Sequence, residues 1–196
     1  MLENYLPFFL FVVAMTGTPG PGNLTMMAIG QTTGFKSAMP FLMGMAVGRL
    51  PMDLLVACGL GEIFLASPVA ATAMKVLGSV YILYLAVKVL MIQASPKKID
   101  KRFTFVEGLF LHPLSPKSWA MMIFGFSQFV DPTAPLPPQI IVFMASFMGG
   151  LLFFHSSWCA AGALIPRFVQ SRQTLFCINL IMVTLMVGAT GYAMFS

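Results

Sequence analysis

Long apolar stretches run along this chain between short polar punctuations, without the two-residue alternation of half-buried strands. No charged residue lies between Glu3 and Lys36, between Pro132 and Pro166, or between Gln173 and Ser196. A helix needs about 20 apolar residues to cross a bilayer. In lipid every backbone N–H and C=O must be paired inside the protein, so only helices and closed barrels span it. The absence of alternation argues against a barrel. The punctuation predicts six helical spans, roughly Tyr5–Gly30, Ser37–Leu60, Ser67–Ile92, Phe105–Val130, Pro138–Ile165 and Leu175–Phe195. The N-terminus lacks the basic opening of a cleavable leader, so the first segment reads as a retained helix.

Composition sharpens this picture. Of 196 residues, 58% are hydrophobic and 9% charged, with a mean hydropathy of +0.88. A soluble domain carries about 25% charge, so the reading excludes an ordinary soluble enzyme, a nucleic-acid binder and a disordered chain. The fold class is an all-α polytopic membrane protein. It forms one multi-pass transmembrane domain over 1–196.

The charges sort by loop. Lys36 follows span one, Lys97, Lys98, Lys101 and Arg102 follow span three, and Arg167 and Arg172 follow span five. The opposite ends hold Glu3, Glu62 and Asp131 and no Lys or Arg. The positive-inside rule puts the basic loops in the cytoplasm and both termini outside. Lys75 and Lys88 lie near the ends of span three, where snorkelling to the headgroups explains them. Glu107 reads as interfacial. Cys58, Cys159 and Cys177 lie in apolar stretches and read as small buried hydrophobes.

Two spans are interrupted. Span one contains Thr18-Pro19-Gly20-Pro21-Gly22-Asn23, and span four contains His112-Pro113-Leu114-Ser115-Pro116-Lys117. Two prolines within three residues remove donors and clash with the preceding turn. Sliding one break onto the other puts Pro19 on Pro113, Asn23 on Lys117 and Met27 on Met121. Each break opens a three-span half: a first repeat of about 1–93, a cytoplasmic loop of about 94–104, and a second repeat of about 105–196. Three spans are an odd number, so the halves insert oppositely. This inverted 3+3 plan, with broken helices 1 and 4, is that of many secondary transporters, whose interrupted helices mark the substrate site.

The segment from Thr18 to Leu24 resembles the first signature of the LysE/RhtB family of amino-acid exporters. Gly34-Phe35-Lys36-Ser37-Ala38, with Gly44 and Gly48, is similar to that family's second span. Leu114-Ser115-Pro116-Lys117-Ser118-Trp119 is similar to its Asn-Pro-Lys motif, and Gly78, Tyr81 and Leu85 fit its third span. The resemblance implies a small inner-membrane exporter of amino acids or related metabolites, driven by a proton or ion gradient and oligomeric, a homodimer being one option. Ser115 stands where the family usually has Asn, Arg49 where it often has Asp, and His155 where it often has an acid.

The candidate substrate-binding residues are therefore Pro19, Gly20, Pro21, Gly22, Asn23, Arg49, Ser115, Pro116 and Lys117. An ionisable group at membrane depth is expensive and normally faces the interior, paired. Arg49 and Asp53 are four apart and can pair on one helical face; the pair is structural, or Arg49 holds a substrate carboxylate. Lys117 either faces the cavity or caps exposed carbonyls. Asn23 either caps the helix that follows it or touches substrate. Asp53, His112 and His155 are the candidates for proton coupling, His because it titrates near neutral pH; a satisfied structural histidine is the alternative for each. Neither a metal site nor a cofactor is expected. The expected partners are a small amino acid-like solute, a coupling proton or ion and the bilayer, and no nucleic acid. The reading is of a carrier and not an enzyme. Rival readings are a carrier for another solute or a metal ion, an intramembrane enzyme using Ser115 beside His112, and a redox carrier, which would need a cysteine at a break.

Overall fold

A computed structural model describes residues 2–59, 61, 66–94, 103–131 and 133–195, with backbone alone for 2–5, 93–94 and 189–195. The basic cluster Lys97, Lys98, Lys101 and Arg102 lies outside the described residues, as does Glu62. The described chain is helical: α1 (Leu2–Gly17), α2 (Pro21–Thr33), a 3-10 turn (Lys36–Ala38), α3 (Met39–Ala57), α4 (Pro68–Ala94), α5 (Phe105–Leu109), α6 (Pro116–Phe129), α7 (Leu136–Phe168) and α8 (Arg172–Phe195). Three of these segments are long and apolar enough to cross a membrane: Lys36–Ala57, Pro68–Ile92 and Leu136–Phe168. Leu6–Gly17 and Arg172–Gly188 are shorter apolar helices. Large apolar side chains such as Leu10, Leu77, Val80, Ile141 and Phe153 are exposed on the outer faces, a surface that fits lipid better than water.

Both interrupted spans divide where the prolines stand. α1 ends at Gly17 and α2 restarts at Pro21, with Gly20 as its extended N-cap. The short α5 gives way to turns at 110–114, and α6 restarts at Pro116 with Ser115 as N-cap. Proline suits the first helical position, where its missing N–H is an orphan anyway. Pro21 and Pro116 thus each open a helix. Counted from these prolines, Asn23 falls at the position of Ser118 and Gly22 at that of Lys117, one residue off the alignment read from the sequence.

Glycine sets how the pieces pack. α2 lies on α7, and α3 lies on α5. A methyl at Gly30 would collide with the Cys159 carbonyl, and one at Gly162 with that of Met27. Likewise, a methyl at Gly44 or Gly48 would collide with the carbonyl of Phe105 or Leu109, and one at Gly108 with that of Phe41. These contacts are backbone on backbone, the close approach that small residues permit between membrane helices. Elsewhere bulky side chains fill the gap. Phe8 and Phe11 of α1 meet Phe129 of α6 and Phe143 and Phe147 of α7, at ring separations of 5.4–6.1 Å.

Lys88 finds partners within the protein. Its ammonium pairs with Glu107 Oε1 at 2.5 Å and lies over the Phe103 ring. The Tyr84 hydroxyl donates to the same oxygen, and that of Tyr81 to the Glu107 carbonyl. Glu107 Oε2 also accepts from the amide of Thr104 in a capping box that starts α5. The carboxylate therefore ties α4 to α5. Cys159 is buried as expected, but Cys58, just past the end of α3, and Cys177 in α8 are exposed.

Candidate functional site

The two breaks meet around one cavity of about 50 Å3, smaller than the ~300–1,000 Å3 of a typical small-molecule pocket. Gly20, Pro21, Gly22 and Asn23 line it from the first break, and His112, Ser115, Lys117 and Ser118 from the second. Thr16, Thr18, Arg49 and His155 complete the polar lining, and Met15, Leu111 and Met121 supply an apolar wall. Pro19, Pro116 and Asp53 do not line it.

A helix that stops at membrane depth leaves its last carbonyls without partners. Asn23 Nδ2 donates to the Thr16 carbonyl at 2.8 Å and to that of Thr18 at 2.9 Å. The Trp158 indole N–H, from α7, donates to the Gly17 carbonyl at 3.2 Å. Asn23 thus closes the end of α1, not the start of α2 as a capping role would have it. It occupies the third position of α2, too far in to be the N-cap, and its side chain reaches back across the break. The start of α2 stays open: Gly20 provides no side-chain cap, and Pro21 has no N–H. The amides of the first turn point toward the cavity with the positive end of the helix dipole.

The second break is closed differently. Ser115 Oγ accepts from the Ser118 amide at 3.4 Å, and the Trp119 indole donates to the Pro113 carbonyl at 2.9 Å. Ser115 caps helices as well as the family's Asn, so this replacement keeps the local geometry. Lys117 then reaches across to the first break. Its ammonium donates to Thr18 Oγ1 at 3.2 Å and stands 3.1 Å from where a Cβ on Gly20 would be.

Arg49 pairs with Asp53, Nε to Oδ2, at 3.1 Å, and both are about 1% exposed. The guanidinium also contacts Met122 Sδ and stacks over the Phe147 ring at 4.9 Å. Much of its fork is therefore already engaged. Asp53 lies behind it, with Oδ1 lacking a partner. The His112 and His155 rings are 5.6 Å apart. His112 Nδ1 bonds Ser118 Oγ at 3.0 Å.

Several of these residues are not singled out by sequence reasoning. Trp158 stands in a run of aromatic and small residues that gives it no distinction. Thr18 and Ser118 sit inside the quoted motifs, beside the residues that were chosen. Their hydroxyls matter only because Lys117 and His112 fold onto them.

The family model for LysE type translocators matches residues 13–195. The chain belongs to the LysE type translocator family. A relative from Vibrio cholerae, described as an uncharacterized membrane protein, is 21% identical over 95% of this chain and 94% of its own length. Two proteins described as leucine efflux proteins are similar to it over 88% of the chain and 85% of their own length. That of Klebsiella pneumoniae is 23% identical and that of Salmonella choleraesuis 24%. No solved structure matches this LysE-type chain.

Proposed function

We propose that this LysE-type protein is a secondary exporter of a small zwitterionic metabolite, an amino acid or derivative, working by proton-coupled alternating access. The observation that carries the reading is the convergence of two broken helices on one cavity. That cavity holds an uncapped helix N-terminus, the ammonium of Lys117 and an apolar wall. The open end of α2 and Lys117 suit a carboxylate, as helix N-termini commonly do; Met15, Leu111 and Met121 suit an apolar side chain. The relatives named for leucine efflux support an aliphatic amino acid.

In this reading the bundle has six spans, as two oppositely inserted repeats of about 1–93 and 105–196. Both termini face outward, and Lys36, Arg167 and Arg172 face the cytoplasm. Asp53, His112 and His155 are the groups that exchange the coupling proton. An arriving proton on an imidazole would occupy a position from which a substrate donor must leave, which links the two movements. The protein is a carrier and not an enzyme, and it assembles as a homodimer.

The test uses purified protein in vesicles loaded with labelled L-leucine. Efflux should exceed that of protein-free vesicles, quicken when the outside is made acidic, and slow when a protonophore collapses the gradient. Efflux no faster than from empty vesicles, for leucine and for the other common amino acids, would overturn the proposal.

A further inference from the structure

Four buried side-chain atoms on residues lining the cavity have no hydrogen-bond partner: Asn23 Oδ1, His112 Nε2, and both Nδ1 and Nε2 of His155. Buried polar groups almost always have one, so this cluster on one cavity calls for a polar ligand. Asn23 cannot be turned to remove the deficit. Its Nδ2 already serves two carbonyls of α1, so the group left over is the carbonyl, which only accepts. A neutral imidazole offers one donor and one acceptor. In the tautomer whose Nδ1–H donates to Ser118 Oγ, 3.0 Å away, Nε2 of His112 is an acceptor, and His155 offers an acceptor at Nε2 in its matching tautomer. All three residues are at most 6% exposed.

Gly22 brings His155 Nε2 against the start of α2. A Cβ there would lie 2.6 Å from His155 Nε2 and 3.3 Å from Leu111 Cδ2. Only a residue without a side chain lets the imidazole rest on the first turn of the helix. That acceptor therefore adjoins the amides and the Lys117 ammonium that suit a carboxylate. The surrounding charges leave room for a cation. Arg49 is balanced by Asp53 at 3.1 Å, and Lys117 would be balanced by the ligand's own carboxylate.

We propose that Asn23 Oδ1, His112 Nε2 and His155 Nε2 form a cage for the primary ammonium of the substrate, so that the carrier selects free α-amino acids over their N-acyl and α-hydroxy counterparts. A primary ammonium has three N–H donors for the three acceptors. An α-hydroxy acid brings one, and an N-acylated amino acid brings one and adds bulk. An ω-amino acid separates its ammonium from its carboxylate, whereas here the two subsites adjoin. This rests on the exporter reading and goes beyond it, by naming which chemical group the site demands.

The experiment is calorimetric binding to the purified protein, with L-leucine, 2-hydroxy-4-methylpentanoate and N-acetyl-L-leucine as probes. A site built to bond an N–H rejects a ligand lacking it by large factors, so both analogues should bind at least about 100-fold more weakly than leucine. In His155→Phe and His112→Phe the leucine affinity should fall about tenfold or more, as one charge-assisted bond is lost, and the gap to the hydroxy acid should narrow. Wild-type selectivity needs no variant, so a variant that fails to fold does not spare the proposal. Equal binding of leucine and the hydroxy acid would overturn the cage and leave the exporter reading standing. Binding of no amino acid at all would overturn both.

Discussion

Lys117→Ala should cut leucine efflux about 10- to 100-fold, the equivalent of one charge-assisted hydrogen bond of ~1.5–3 kcal/mol. Lys117 is the only cation that reaches the cavity without an opposite charge beside it among the described contacts: Arg49 has Asp53, and Lys88 is far off with Glu107. Its ammonium spans from the second break to Thr18 of the first, so the substitution also removes a link between the two half-helices. Lys36→Ala serves as the control. Lys36 is exposed at the loop end of α2, and its loss should leave the efflux rate within twofold of wild type. Flux assays on matched amounts of folded protein would read both. Wild-type rates in Lys117→Ala would remove the cation from the site.

Gly48→Ala should lower the unfolding temperature in detergent sharply, for a cost of about 3 kcal/mol, the upper part of the range for overpacking. The added methyl would fall on the Leu109 carbonyl, a backbone atom that cannot rotate away, so α3 and α5 must move apart. Arg49 is the next residue, so the shift would carry the Arg49–Asp53 pair with it and reduce efflux too. Gly149→Ala, in α7, is the comparison. Nothing lies within 4 Å of its added methyl, and alanine favours a helix over glycine by about 1 kcal/mol; this variant should be as stable as wild type or more so. A similar loss in both variants would mean that glycine acts here through helix propensity, not through close packing.

The helical nature of the chain and the places where it breaks were legible because proline and glycine act locally. Pro19-Gly20-Pro21 and Pro113-Leu114-Ser115-Pro116 interrupt a helix whatever surrounds them. The pairing of Arg49 with Asp53 was legible for the same reason, since four residues make one helical turn. Partnerships between spans were not. A helix that is apolar all round gives no sign of which face turns inward, so the sequence could not say that Lys88 meets Glu107 or that Trp158 meets the end of α1. Those contacts depend on helix rotation, which the Gly30–Cys159 and Gly48–Leu109 approaches fix. Asn23 reads from the sequence as a cap for its own helix or as a substrate contact, and the first of these is not what its amide does. The open carbonyls belong to the helix before. His112 and His155 were marked as titratable, but that their unpartnered nitrogens share a cavity with Asn23 Oδ1 is a fact of packing alone.

The central claim is that substrate sits in the cavity between the breaks. Substrate protection of a single cysteine tests it most directly. Met121 lines the cavity wall and belongs to none of the proposed polar contacts. In a protein with Cys58, Cys159 and Cys177 replaced by serine or alanine, Met121→Cys would be exposed to a small methanethiosulfonate reagent with and without L-leucine. Leucine should slow the modification in proportion to its occupancy of the site, while 2-hydroxy-4-methylpentanoate at equal concentration should not. A modification rate that leucine leaves unchanged, at concentrations that sustain efflux by the same protein, would place the substrate elsewhere and contradict the account.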